Sequence, residues 1–245
     1  MGFLTNIYLF AVLIPPKLNA YYLEGIMKMW LVDGGRSLRT CIATLAASVF
    51  ALCLLSGPVK AEPKALTLSM DELVTDDLIA DIREWVNVPV VTEALRSRNQ
   101  GAGQLEQSEI DALDAKWREE TKTQDQPLIT SVLANPLSSY LYRVQARSVG
   151  LFTELFVMDR NGLNVGQSSV TSDYWQGDEA KFQKTVGVGP GTVFVDEPEF
   201  NEDTATWRAQ INLTIDNAQG QSIGAITVEV NLTELERRKL AGVGA

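Results

Sequence analysis

The chain has 245 residues, 21 of them basic and 31 acidic, and it contains no histidine. Without imidazole there is no Ser–His or Cys–His nucleophile and no use of the commonest zinc ligand, so acid–base chemistry is left to carboxylates. A net charge of −10 repels phosphate backbones and anionic membrane surfaces, which excludes nucleic acid as a natural partner.

Residues 1–26 fit no leader layout: the apolar start MGFLTNIYLFAVLIPP lacks a basic flank and ends in a double proline. Met27 or Met29 opens a conventional leader, so 1–26 is read as an upstream extension from a start placed too early. Lys28, Arg36 and Arg39 precede the apolar run Thr40 to Ser56, and after Gly57-Pro58 the triplet Val59-Lys60-Ala61 puts small residues in register for a leader peptidase. Residues 27–61 are therefore expected to be a secretory signal cleaved after Ala61, giving a periplasmic protein; an uncleaved single-span anchor is the alternative. Cleavage would remove both cysteines, Cys41 and Cys53, leaving 184 residues with 16 basic against 29 acidic side chains, a net −13 and no disulfide.

Residues 62–150 carry a helical period. Ser69 and Glu72 form a capping-box pattern before LVTDDLIADIREWV, in which Leu73, Leu78, Ile82 and Trp85 recur at helical spacing. A second run follows Pro89 to about Arg98, where NQGAGQ breaks the chain. A charged helix, 106–123, places Ile110, Leu113 and Trp117 on one stripe, and LITSVLANP and LSSYLYRVQARSV complete the helical half.

Residues 151–245 change to a period of two. LFTELFVM reads as a strand, Asp159-Arg160-Asn161-Gly162 as a tight turn with Asn-Gly in left-handed conformations, and LNVGQSS as the returning strand. A short helix near 179–184 and the turn GVGPG lead to three further strands, TVFVDEPEF, ATWRAQINLTI and QSIGAITVEVNL. The expected fold class is α+β: N-terminal helices packed on a five-stranded antiparallel sheet, with a short helical tail. In the fourth strand Ala205, Trp207, Ala209, Ile211, Leu213 and Ile215 alternate with Thr206, Arg208, Gln210, Asn212 and Thr214; in the fifth, Ile226, Val228, Val230 and Leu232 alternate with Thr227, Glu229 and Asn231. One face is a core. The other is either a solvated surface or the floor of a pocket built on Arg208, Gln210 and Glu229. Between the second and third strands, Asp173, Tyr174 and Trp175 stand side by side in a stretch too polar for a core. They either cover a ligand or pack the loop.

The run LFVMDRNGLNVGQSSVTSDYWQGDEAKF, then GTVFVDEPEF, then WRAQINLTIDNAQGQSIGAITVEVNL resembles the Cache (PDC-type, PAS-like) extracytoplasmic sensor domain. The likeness covers about 151–232, with the preceding helices standing for that family's long N-terminal helix. It implies a PAS-like sheet with one face on the helix. The other face, together with the loop after the second strand, would hold a small organic ligand: a carboxylate, an amine or an amino acid. By position, Asp173, Tyr174 and Trp175 would lie in the covering loop, and Glu229 where amino-acid-binding members commonly place an Asp. The family's Arg-x-Trp-Tyr run is missing, and Arg208 or Arg147 is the alternative partner for a ligand carboxylate. No cofactor is called for. DEPEFNED lacks the spacing and glycine of a calcium loop, and GVGPG precedes a strand with no lysine after it.

The chain ends at TELERRKLAGVGA without a second apolar span. The expected product is a freestanding periplasmic binding module that either hands its state to a membrane-bound receptor or kinase or acts as a scavenger or buffer. Two alternatives stand beside it: an enzyme pairing Asp173 with Asp178 or Glu229, and an interaction module that uses Trp85 and Trp117 beside a filled pocket.

Overall fold

Local signals place most helix boundaries. In a computed structural model, which describes residues 65–243, Ser69 and Glu72 form the reciprocal capping box and open α1, Met70–Leu73. The expected single helix divides here, because Thr75 starts a second one: its hydroxyl accepts the Leu78 N–H and caps α2, Asp76–Val86. Pro89, at the first position of α3 (Pro89–Ala102), needs no N–H there. This helix runs past Arg98 through the segment read as a break, and ends where Gly103 takes φ +62°. Then come α4 (Gln107–Glu120), α5 (Pro127–Leu133) and α6 (Pro136–Arg147), the last capped by Asn135, whose side chain accepts the Ser138 N–H. The leader and the upstream extension lie outside the described residues.

The sheet contains β1 (Phe152–Met158), β2 (Asn164–Gln167), β3 (Val193–Val195), β4 (Glu199–Asn201), β5 (Thr206–Asp216) and β6 (Ser222–Asn231). All pairings are antiparallel in the order β2-β1-β6-β5-β3, and β4 pairs with the other end of β5. The sheet is thus five positions wide, as expected. Its third predicted strand, however, is two short ones separated at Asp196-Glu197-Pro198, where proline has no N–H to give a ladder. The β1–β2 turn also differs from the expected one. Only Gly162 is left-handed, at φ +79°, and Asp159 closes the loop by accepting the N–H groups of Asn161 (2.7 Å) and Leu163 (3.1 Å). Between β2 and β3 lies α7, Ala180–Gln183; α8, Leu232–Leu240, follows β6. Leu232, expected to end the last strand, instead opens this helix, and Asn231 caps it.

One sheet face carries the main core: Leu155 and Val157 of β1, Ile211, Leu213 and Ile215 of β5, and Ile226, Val228 and Val230 of β6. Leu78, Ile82 and Val86 of α2, Leu95 of α3 and Leu141 of α6 belong to the same buried cluster. α8 ties the last element to the first: the Glu236 carboxylate accepts the N–H groups of Thr67 and Leu68, and Lys239 donates to the carbonyl of Glu72. The other face is neither uniformly polar nor uniformly wet. Phe156, Met158 and Ala225 form a buried cluster beneath Phe182 and Val186, and Asn212, Thr214 and Thr227 are buried on the same face. Asn212 and Thr227 survive burial because the Thr227 hydroxyl donates to Asn212 Oδ1 at 2.7 Å.

Candidate functional site

Direct strand partners set the rows of the second face. Thr214, Ala225 and Met158 form one row and Asn212, Thr227 and Phe156 the next, followed by Gln210, Glu229 and Glu154. The first two rows are roofed by the segment around α7. Lys184 lies 4.2 Å above the Phe194 ring, Lys181 5.4 Å from the Phe156 ring, and the buried Thr185 hydroxyl donates back to the Lys181 carbonyl. Past this roof, over Gln210 and Glu229 of the third row, lies a cavity of about 460 Å³, lined also by Arg208 of β5, Lys181 beside the roof, and Asp196 and Phe200 of the β3–β4 edge.

Its electrostatics follow from who is paired. Arg208 Nη1 lies 2.8 Å from Glu229 Oε1, and its Nη2 donates to the Thr204 hydroxyl at 3.0 Å. The Thr153 hydroxyl also donates to Glu229. Lys181 Nζ is 2.8 Å from Glu179 and donates to Gln176 Oε1 at 3.2 Å. Both cations of the wall are therefore held by carboxylates of the same wall, while Asp196, Glu197 and Glu199 add further negative charge. The Gln210 side-chain amide has no hydrogen-bond partner among the described residues and lines the cavity. Behind Glu229 stands Glu154, whose carboxyl titrates above its ordinary value, first because burial disfavours the anion and second because Glu229 faces it. Ser169, Lys181 and Arg208 pull it part of the way back.

The residues singled out from sequence separate into different places. Arg208, Gln210 and Glu229 share this cavity. Asp173, Tyr174 and Trp175 do not line it. They pack against α4, where Asp114 Oδ1 accepts the N–H groups of Tyr174 (2.9 Å) and Trp175 (3.1 Å), and Arg118 bridges Asp114 and Asp173. The Tyr174 ring stacks on Trp117 at 5.1 Å, and Trp175 Nε1 donates to the Asn161 carbonyl at 2.8 Å. Burial raises the Tyr174 hydroxyl's titration above its ordinary value. Tyr174 also borders a second cavity, about 630 Å³, between α3, α5 and β2. The cation there, Arg98, is taken up by Asp159 (3.0 Å) and the Tyr174 hydroxyl (3.4 Å). Arg147 is exposed at the end of α6 and lines none of these cavities. The pairing of Asp173 with Glu229 has no counterpart, since Asp173 lies with Arg118; the carboxylate neighbour of Glu229 is Glu154. Of the two tryptophans, Trp117 is fully buried and Trp85 packs on Phe152 at 5.7 Å. Among the described residues no cluster of His, Cys, Asp or Glu could hold a metal ion, and no helix is long and apolar enough to cross a membrane.

Lys181 lines the cavity and Glu154 is the strand partner of Glu229 behind its wall, and neither is singled out by the sequence. Glu154 was visible as the one charged residue in an apolar strand, in phase with Phe156 and Met158; Lys181 carried no such signal.

No protein-family model and no curated protein matches the chain. Among solved structures it is similar to sensor domains of chemoreceptors and histidine kinases. One is the ligand-binding domain of the Pseudomonas aeruginosa amino-acid chemoreceptor PctC in complex with GABA, at 16% identity and TM-score 0.33, covering 65% of this chain and 62% of that one. Another is the ligand-binding domain of the Pseudomonas fluorescens chemoreceptor CtaA with L-valine, at 16% identity and TM-score 0.32, covering 69% and 68%. A third is the sensor domain of the Vibrio cholerae histidine kinase DctB, at 12% identity and TM-score 0.28, covering 66% and 58%.

Proposed function

We propose that the protein is a small-molecule-binding sensor module that works outside the cytoplasm with a membrane-bound receptor or kinase, and that the cavity over Gln210 and Glu229 receives the ligand. One observation carries this reading: a sheet face sealed at one end by Phe182 and Val186 is left open at the other, over converging polar side chains. A surface built only for packing would continue the seal, whereas a ligand site combines shaped apolar walls with a few directed polar groups. The resemblance supports the same face, since in that family the side opposite the N-terminal helix receives a carboxylate, amine or amino acid. The periplasmic location rests on the leader pattern before Glu62.

A thermal-shift screen against amino acids, organic acids, amines and purines tests the reading. A ligand at a hundred times its dissociation constant adds about 2.7 kcal/mol of stability, a shift of several degrees for a protein of this size. The expected hit is lost in Gln210→Ala and kept in Trp175→Phe. Silence across the panel, or a hit indifferent to Gln210 and Glu229, overturns the assignment.

A further inference from the structure

At the edge of the sheet, where β2 ends beside α6, lies a third cleft of about 430 Å³. It shares no lining residue with the cavity over Gln210 and Glu229. Gln167 fastens the strand end to the helix, its N–H donating to the Ser138 hydroxyl at 2.9 Å. The Gln167 side chain lines the cleft and is buried. Its Oε1 accepts the Thr171 hydroxyl at 3.3 Å, but its Nε2 has no hydrogen-bond partner among the described residues. A buried donor left so costs about 1–3 kcal/mol, and such a group calls for a reason. Asn164, which donates to the same Thr171 hydroxyl, leaves its Oδ1 unpartnered too, but does not line the cleft. Ser168, next in the lining, accepts the Leu155 N–H at 3.0 Å and has no acceptor for its own hydrogen among the described residues.

The charge of the cleft is as one-sided as its hydrogen bonding. Arg143 is its charged lining residue, and no carboxylate faces it. Neither Arg143 nor Arg147, one turn further along α6, has a hydrogen bond or an ion pair among the described residues. Elsewhere the fold pairs its cations: Arg98, Arg118, Lys181 and Arg208 are each held by a carboxylate. Two like charges one turn apart on a helix repel, and this pair stays without a countercharge in a chain of net −10. Leu133 and the exposed Tyr142 ring add apolar walls. The cleft therefore offers a positive charge and spare donors beside an apolar wall, the complement of a group that only accepts.

We propose that this cleft is a second binding site, separate from the one assigned above, and that it takes the carboxylate of a small organic acid. The Arg143 guanidinium receives the carboxylate through its fork of N–H groups, and the Gln167 amide and the Ser168 hydroxyl supply the remaining donors. The carbon chain of the acid lies against Leu133 and Tyr142. An inorganic oxyanion would meet the same donors but gain nothing from the apolar wall, so the organic acid is the better fit. The two sites differ in kind: the cations over Gln210 and Glu229 are already held by carboxylates of their own wall, whereas the cation at α6 is open.

A nitrogen–proton NMR titration at constant ionic strength tests this with three probes: butyrate, butylamine as the same chain with the opposite charge, and sulfate as an inorganic oxyanion. Butyrate is expected to shift the Gln167 side-chain amide and the backbone amides of 138–143 and 167–168 to saturation, and butylamine to leave them in place. Arg143 is exposed, so Arg143→Ala leaves the core intact; it is expected to weaken butyrate about tenfold or more. Arg143→Lys, which keeps the charge without the fork, is expected to recover part of that loss, and Arg147→Ala to change little. Absence of a saturable shift at these amides, equal affinity in Arg143→Ala, or sulfate bound as tightly as butyrate overturns the proposal. Saturable shifts confined to the surroundings of Gln210 and Glu229 overturn it as well, placing the acid in the other cavity and leaving the function proposed above in force.

Discussion

Glu154 shows how a single ionisable side chain can be costly to a fold. Its raised titration means that the folded protein binds a proton more tightly than the unfolded chain does. Stability contributed by that proton is present below about pH 4.5 and is lost as pH rises through the raised value. Glu154→Gln, which keeps the size and an acceptor for Ser169, is therefore expected to stabilise the protein at about pH 7 and to change little at about pH 4. Urea unfolding at the two pH values measures the difference, and a variant less stable at neutral pH would contradict the sign. Legibility at this scale was uneven. The polar residues Arg208, Gln210 and Glu229 were visible in the alternation because β5 and β6 run long and regular. Glu154 stands out as a lone charge in an apolar strand, but it is the pairing with β6 that places it in their row.

At the scale of elements, the aromatic loop is positioned by a helix that the sequence does not pair with it. The segment Asp173 to Trp175 has the composition of a ligand cover, yet its partners are Asp114, Trp117 and Arg118, three positions of α4. Helical period shows which stripe of α4 is apolar, but it cannot show which loop that stripe will meet. Asp114 fastens the two elements, and its loss strands two backbone N–H groups: Asp114→Ala is expected to cost about 2–4 kcal/mol by chemical denaturation, and Asp114→Asn, which keeps an acceptor, clearly less. The β1–β2 turn sets a comparable constraint. Gly162 sits at φ +79°, and a Cβ there would come within 2.7 Å of the Gly177 backbone. Gly162→Ala is expected to destabilise by about 1–3 kcal/mol, read as a lower denaturation midpoint; no change would mean that the turn relaxes freely.

For the whole molecule, class and layering were readable from the change of period near residue 150, because helices and strands bury their faces at different spacings. The strand content, the helical layer and the location of the main core follow from that pattern alone. The partition of the second face did not, since an alternating strand looks the same whether its polar side meets solvent, a roof or a cavity. That distinction depends on where the segment around Phe182 and Val186 settles, and this segment has little regular structure of its own. The clasp between α8 and the chain at Thr67 and Leu68 has a structural consequence. Because Glu236 and Lys239 hold the last helix to the first residues of the described fold, the two ends of that fold are joined by a path that does not cross the sheet. α8 begins at the residue after Asn231, so the last strand runs without a linker into the helix that is fastened to the start of the described fold.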